Sequence, residues 1–363
     1  MRRRCRYLCF ILAVSLIAGY SLFEGAYRSK STINKILLVS YMRSGSTFTS
    51  EIIRQSGHSF FVFEPFWGIC RKEFVKRRYS WKAVCKDGET EVQSIQKISS
   101  VLHSIYNCNF NQLPVDVLTS FWVFPQGTGH AILNRCFNFH MNIPNVHVNV
   151  SDTRARCVNK MEVMCKNSTN ILIKTIRISF DLFHKVVSKI PDIKIIHLVR
   201  DPRAILYSRI ELGYLHYQEM KNVSHQLCTK MVKNIYICNH QMRRNVFSLK
   251  FECLAAYPIS VTESLYTYLN FEFTNEISSW LITHTKGKAM LFGMKYNVNV
   301  ADSLLVSLKW MTQLPKPVLS LIDQECQEVY NNLRITDSRT LKQRLQYIRR
   351  FDLRNFYSAM CKA

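Results

Sequence analysis

Short apolar runs recur along this chain, and most of them end on a charge or a tight turn. Ile36-Leu37-Leu38-Val39 stops at Tyr41-Met42 and breaks into Arg43-Ser44-Gly45-Ser46-Thr47, after which Phe48, Ile52 and Ile53 fall on one side of an amphipathic segment. This pattern predicts a strand, a polar turn and a helix. Phe60 to Phe63 predicts a second strand, ending on Glu64-Pro65. The run from Ile171 to Arg177 predicts a strand that closes on two cations, Lys174 and Arg177, and a helix follows over Asp181–Lys189. Ile193 to Val199, apolar except at Lys194 and His197, has the character of a buried strand. It ends at Arg200-Asp201-Pro202-Arg203, where Asp201 suits a helix N-cap and Pro202 the first helical position, with the helix running to about Leu212. Helix Ser224–Asn239, strand Val246–Phe251 and helix Pro258–Leu269 complete the pattern. Strands alternating with helices predict an α/β fold with a doubly wound, mainly parallel sheet. Ligands of such sheets bind beyond the strand C-termini, where Arg43, Glu64, Lys174, Arg177 and Arg200 all fall.

Between residues 68 and 170 the periodicity fails. Six cysteines, scattered aromatics and turn signals such as Ile143-Pro144-Asn145 predict an irregular, disulfide-stapled insertion with helix only near Glu91–Ile105. Such a segment suits a variable acceptor-binding lobe.

The turn after the first strand carries specific chemistry. Backbone N–H groups at a helix N-terminus point at whatever sits there and favour an anion. Gly45 lets the backbone approach closely, Ser44, Ser46 and Thr47 supply hydroxyls, and Arg43 supplies a fixed charge. A nucleoside-triphosphate loop needs a lysine directly after its second glycine. Here Ser46 follows Gly45, Ser40 stands where the first glycine would be, and the cation sits at Arg43 on the strand side. The turn is therefore read as a phosphate-like anion cradle that is not built for ATP.

Composition and the chain ends set the compartment. Four arginines in residues 1–6 precede an uncharged apolar run over residues 7–23. Its 17 residues are at the short end of what spans a bilayer. The positive-inside rule then expects residues 1–6 in the cytosol as a tail, 7–23 as a single-pass signal anchor, 24–34 as a short stem, and 35–363 as one lumenal domain. A cleaved signal peptide is the competing expectation, and both deliver the body to the secretory pathway. Three glycosylation sequons begin at Asn149, Asn167 and Asn222. Eleven of the 13 cysteines follow the apolar run, a load suited to an oxidising lumen, and the odd number leaves a free thiol or a disulfide-linked homodimer open. No cysteine or histidine pair has metal-ligand spacing, so no metal is expected. The net charge of +24 predicts an anionic partner, a glycan or a small donor rather than nucleic acid in that compartment.

With both strand-end motifs in view, the chain resembles the Golgi carbohydrate sulfotransferases, specifically the galactose/N-acetylglucosamine/N-acetylgalactosamine 6-O-sulfotransferase family. The resemblance rests on Arg43-Ser44-Gly45-Ser46-Thr47-Phe48, matching that family's 5′-phosphosulfate loop, and on Leu198-Val199-Arg200-Asp201-Pro202-Arg203-Ala204, continuing to Ser208-Arg209, matching its 3′-phosphate motif. It implies the sulfotransferase fold and 3′-phosphoadenosine 5′-phosphosulfate (PAPS) as co-substrate, without a metal. It also implies a glycan or glycosaminoglycan acceptor sulfated at a 6-hydroxyl, and a Golgi membrane location with the catalytic domain in the lumen. Donor contacts are expected from Arg43, Ser44, Gly45, Ser46, Thr47, Phe48 and Thr49, and from Arg200, Asp201, Pro202, Arg203 and Ser208. Glu64 is the expected base, with Arg43 and Lys174 at the transfer site and Arg177 toward the acceptor. Glu64 could equally serve as an ion-pair partner that orients Arg43 or Arg177. The chain departs from the family where relatives commonly read Tyr-Glu-Asp-Leu: here it reads Phe251-Glu252-Cys253-Leu254, and one acid is lost.

Two other readings share the compartment. A metal-dependent glycosyltransferase would hold its ion with a D-x-D carboxylate pair, and this chain has none. A non-catalytic glycan-binding protein would keep the basic surface with no reason to keep both phosphate motifs.

Overall fold

The computed structural model describes residues 33–66, 91–114, 117–118, 127–128, 132, 135–136, 150–187, 189–286, 302–335 and 361. The expected tail, signal anchor and most of the stem lie outside the described residues, as does Asn149. No helix among the described residues is long and apolar enough to cross a membrane.

Five strands form one parallel sheet: β1 (Asn34–Val39), β2 (Ser59–Phe63), β3 (Asn170–Thr175), β4 (Ile193–Val199) and β5 (Val246–Lys250). Their spatial order is β2-β3-β1-β4-β5. β1 is central, with Leu37 opposite Ile173 on one side and opposite Ile195 on the other. From β1 the chain crosses to the edge strand β2, returns through β3 beside β1, then crosses to the other side and winds outward through β4 and β5. The reversal falls between β1 and β4, which is where open α/β sheets make their ligand crevice.

Every residue of β3 is buried, as expected of an interior parallel strand covered on both faces. On one side of the sheet, Ile36, Leu38, Leu172, Ile196 and Leu198 pack with Ile52 and Ile53 of helix α1 (Ser46–Arg54) and with Leu265 and Leu269 further along the chain. Helix α2 (Glu91–Tyr106) anchors to the central strand through the Tyr106 hydroxyl, which donates to the Ile36 carbonyl at 2.9 Å.

One expectation fails here. The segment 68–170 is not irregular up to β3, because residues Val150–Lys166 form a 17-residue helix, α3. Its buried side is Cys157, Val158, Met161 and Cys165, at helical spacing. Two of those four are cysteines, which read in sequence as staples rather than as a core stripe. Both roles hold, since Cys157 bonds Cys136 and Cys165 bonds Cys108.

After β3 come α4 (Phe180–Val187), α5 (Pro202–Glu211) and α6 (Met220–His240). They are followed by α7 (Phe251–Ala256), α8 (Pro258–Leu269) and α9 (Asn275–Lys286). The C-terminal helices are α10 (Ser303–Leu308), α11 (Trp310–Gln313) and α12 (Lys316–Leu333). A Cys228–Cys326 bridge pins α12 to α6, and Cys253–Cys361 ties the end of the chain to α7. Among the described residues Cys238 keeps a free thiol, which burial pushes up to about 12.

Candidate functional site

The β1–α1 turn is shaped by two left-handed residues, Arg43 at φ 73° and Gly45 at φ 92°. Ser44, fully buried between them, donates its N–H to the Tyr41 carbonyl at 3.0 Å, and its hydroxyl accepts the Tyr41 N–H at 3.3 Å. Gly45 is the N-cap of α1, with no side-chain cap and no acid in the first turn. The N–H groups of that turn therefore meet neither a side-chain cap nor an acid of the helix's own first turn, which leaves the helix dipole to act on a ligand. Ser46 is buried, Thr47 half-buried, and Phe48 stacks on Trp280 at 6.1 Å. Thr49 is buried and turns its hydroxyl back to the Gly45 carbonyl at 3.3 Å.

β4 delivers the second half across the crevice. Arg200 donates to the Arg43 carbonyl at 2.9 Å and lies 4.5 Å over the Phe251 ring. The same ring closes on Gly45, where a Cβ would meet it at 2.2 Å. Arg43 Nε donates to Ser208 Oγ on α5 at 3.0 Å. The two sequence motifs, 165 residues apart at this contact, therefore meet directly. Arg209, absent from the expected set though adjacent to Ser208, donates twice to the Met42 carbonyl at 3.2 and 3.3 Å and fixes the turn from behind. Burial and then the Arg43 charge push its guanidinium down to about 9. Arg43, Arg200 and Arg209 thus bring three guanidinium groups to one turn, an arrangement that favours a bound anion.

Asp201 and Arg203 pair with each other at the start of α5. Asp201 caps α5 by accepting the Arg203 N–H at 2.9 Å, and its carboxylate pairs the Arg203 guanidinium at 2.7 Å. Arg203 is fully buried, sandwiched 4.2 Å from the Trp310 ring and 4.6 Å from the Tyr330 ring, with Asp323 at 3.5 Å. These contacts lock the C-terminal helices onto α5. Pro202 is buried at the first helical position. Asp201 also donates its N–H to Glu252 Oε1 at 2.9 Å, so Glu252 supports the β4–α5 turn.

A third group stands at the ends of β2 and β3. Glu64, 1% exposed and left-handed at φ 49°, accepts Lys174 Nζ at 2.7 Å and the Ile176 N–H at 3.1 Å on Oε1. Its Oε2 has only longer contacts, to the Ile176 N–H at 3.3 Å and to Arg177 Nε at 3.6 Å. Burial is the main force pulling the Lys174 ammonium below its ordinary value. Glu64 opposes that shift, while Arg177 and Arg43 add to it. Arg43 thus electrostatically links the turn to the Glu64 cluster. His197, on β4 one strand away, is held neutral by burial, its imidazolium pushed down to about 3. Asn167 and Asn222, the two described sequon asparagines, are exposed.

A sulfotransferase-domain family profile matches residues 34–299, most of the chain. The chain belongs to the sulfotransferase family. Among its relatives, rat carbohydrate sulfotransferase 1 is 24% identical over 327 residues, covering 82% of this chain and 78% of its own. Mouse carbohydrate sulfotransferase 3 is 25% identical over 288 residues, covering 70% and 58%. Of solved structures, a sulfotransferase domain from the curacin biosynthetic pathway covers 82% of this chain and 97% of its own. At 16% identity and a TM-score of 0.42 it is a distant likeness. In this sulfotransferase no group of three or more acidic, histidine or cysteine side chains suited to a metal occurs among the described residues.

Proposed function

We propose that this sulfotransferase transfers a sulfuryl group from PAPS to a sugar hydroxyl of a glycan or proteoglycan, at the 6-position of galactose, N-acetylglucosamine or N-acetylgalactosamine. The observation that carries the reading is the direct union of two anion clamps across the sheet's reversal point. Arg43 reaches Ser208, and Arg200 reaches the Arg43 carbonyl. A nucleotide with phosphate-like groups at both its 5′ and 3′ ends matches two such clamps, and the donor set is cationic and hydroxylic throughout. The names of the relatives as carbohydrate sulfotransferases support a sugar acceptor.

PAPS supplies the activated sulfuryl group. In this assignment Arg43 and the α1 N-terminus neutralise charge that develops on the departing oxygen. Arg200 and Ser208 hold the 3′-phosphate. Glu64 takes the acceptor proton on Oε2, its less tightly engaged oxygen, a contribution of roughly 10²–10⁴-fold for a positioned base. Lys174 holds Glu64 in place through their 2.7 Å ion pair, and Arg177 lies toward the acceptor side. The N-terminal apolar run, the sequons and the disulfides support a single-pass Golgi membrane protein with this domain in the lumen.

The test is transfer of radiolabel from PAPS to keratan, chondroitin and N-acetyllactosamine acceptors, with the sulfated position mapped on released disaccharides. Label at C6 of one sugar is expected. No transfer to any acceptor, together with no retention on immobilised 3′,5′-ADP, would sink the proposal.

A further inference from the structure

A buried polar chain joins the two halves of the site, and its centre is Asn234 on α6. Its side-chain amide is engaged at both ends. Nδ2 donates to the Tyr41 hydroxyl at 2.9 Å. Oδ1 accepts the Ser179 hydroxyl at 2.9 Å and the Phe180 N–H at 3.0 Å. Tyr41 in turn stands 3.0 Å from His197 Nε2. With Tyr41 accepting from Asn234, donation of its one proton to His197 Nε2 satisfies both groups and corresponds to the histidine tautomer protonated on Nδ1. Tyr41, Ser179, His197 and Asn234 are each at most 5% exposed, so water does not substitute for any of these bonds.

Each end of the amide leads into one half of the site. Tyr41 is the hinge of the anion turn, bonded through its own backbone to both the N–H and the hydroxyl of Ser44. Ser179 and Phe180 close the loop that begins at Ile176, whose N–H holds Glu64, and that contains Arg177, whose Nε also reaches Glu64. The strands that carry these two loops pair directly, and at their ends the Ser40 N–H donates to the Thr175 carbonyl at 3.0 Å. β1 carries one, β3 the other, and α6 stands behind both.

We infer that Asn234 is a positioning residue that sets the distance between the donor turn and the Glu64–Lys174–Arg177 cluster. An apolar residue could fill the space, but it would remove the side-chain link that holds the two loops to each other beyond the end of the β1–β3 ladder. Sulfuryl transfer needs the donor and the acceptor hydroxyl in line, and a misplacement of about 1 Å can cost roughly a hundredfold in rate. The effect therefore belongs in kcat more than in the hold on nucleotide, which each loop's own residues provide. The inference rests on the sulfuryl-transfer reading.

The experiment compares the full-length protein with Asn234→Ala and Tyr41→Phe. The first removes both ends of the link. The second removes one hydroxyl and leaves the ring in place, so it covers the case in which Asn234→Ala does not fold. For each, kcat and acceptor KM are measured with PAPS, 3′,5′-ADP binding by calorimetry, and the unfolding midpoint by scanning. The expected result is a kcat at least tenfold below wild type, with 3′,5′-ADP affinity within about threefold and the midpoint within a few degrees. A kcat within twofold of wild type in the folded variants overturns the inference. So does a fall in kcat that is matched by loss of 3′,5′-ADP binding, because that pattern means the donor turn alone has collapsed. Inactivity of the wild-type protein in the same assay would instead count against sulfuryl transfer itself.

Discussion

Gly45→Ala is the most demanding single test of the site's packing. The backbone at 45 sits at φ 92°, and a new Cβ would lie 2.2 Å from one edge carbon of Phe251 and 2.3 Å from its neighbour. A left-handed backbone costs an L-residue about 1–2 kcal/mol. Forcing a methyl into a packed contact adds about 1–3 kcal/mol. The ring that must move is the one under Arg200, at 4.5 Å. A cation–π contact of this kind contributes about 0.5–2 kcal/mol. Losing that platform should weaken 3′,5′-ADP binding roughly two- to thirtyfold. Global stability should fall by about 2–5 kcal/mol. Calorimetry and thermal scans read both quantities. The double variant Gly45→Ala/Phe251→Ala separates the causes: with the ring gone, adding the methyl should cost only the backbone contribution. If Gly45→Ala binds and unfolds like wild type, the account of how Gly45, Phe251 and Arg200 fit together is wrong.

Two further outcomes follow from the buried charges. Glu64→Gln should lower kcat by roughly 10²-fold or more with nucleotide affinity nearly kept. It should also destabilise the protein by about 3–5 kcal/mol, because Lys174 at 4% exposure loses its partner; normal turnover in initial-rate assays would remove Glu64 as the base. Burial raises the Glu252 carboxyl to about 7, with the Asp201 charge adding to the shift and Arg200 opposing it. The folded state then binds the extra proton, so this group's stabilisation is complete below about pH 4.5 and is lost as pH rises to about 7. The wild-type unfolding midpoint should therefore fall over that window more than that of Glu252→Gln; equal slopes in parallel thermal melts would refute the assignment.

Much of this site was legible in the sequence because it sits where apolar runs stop. β1, β3 and β4 are nearly unbroken aliphatic stretches, and each ends in the cation that the structure brings to the crevice: Arg43, Lys174 with Arg177, and Arg200. Asp201 and Pro202 marked the start of α5 through their local chemistry alone. Direction around a helix was not legible in the same way. Arg203 precedes Ser208 by five residues, so at roughly 100° per residue it points about 140° away from it. Motif membership gave Arg203 the same status as its neighbours, yet Trp310, Asp323 and Tyr330 claim it from elements far along the chain. Helix α3 escaped because its core stripe is half cysteine and the apolar Val163 and Met164 lie on its exposed side, which blurs the periodicity. Phe251 and Asn234 were invisible for a third reason. Each is an ordinary residue of a strand or helix until topology carries it to the β1 turn. The lost acid at Cys253 has a structural counterpart in its bridge to Cys361, one residue from Glu252.

The central claim is that the β1 turn and the β4–α5 segment together hold one nucleotide by both ends. Comparing 3′,5′-ADP with 5′-AMP by calorimetry tests it directly, in wild type and in Arg200→Ala. Wild type is expected to bind the bisphosphate at least tenfold more tightly, and Arg200→Ala to lose most of that preference while still binding 5′-AMP. A wild-type protein that does not distinguish the two nucleotides would contradict it.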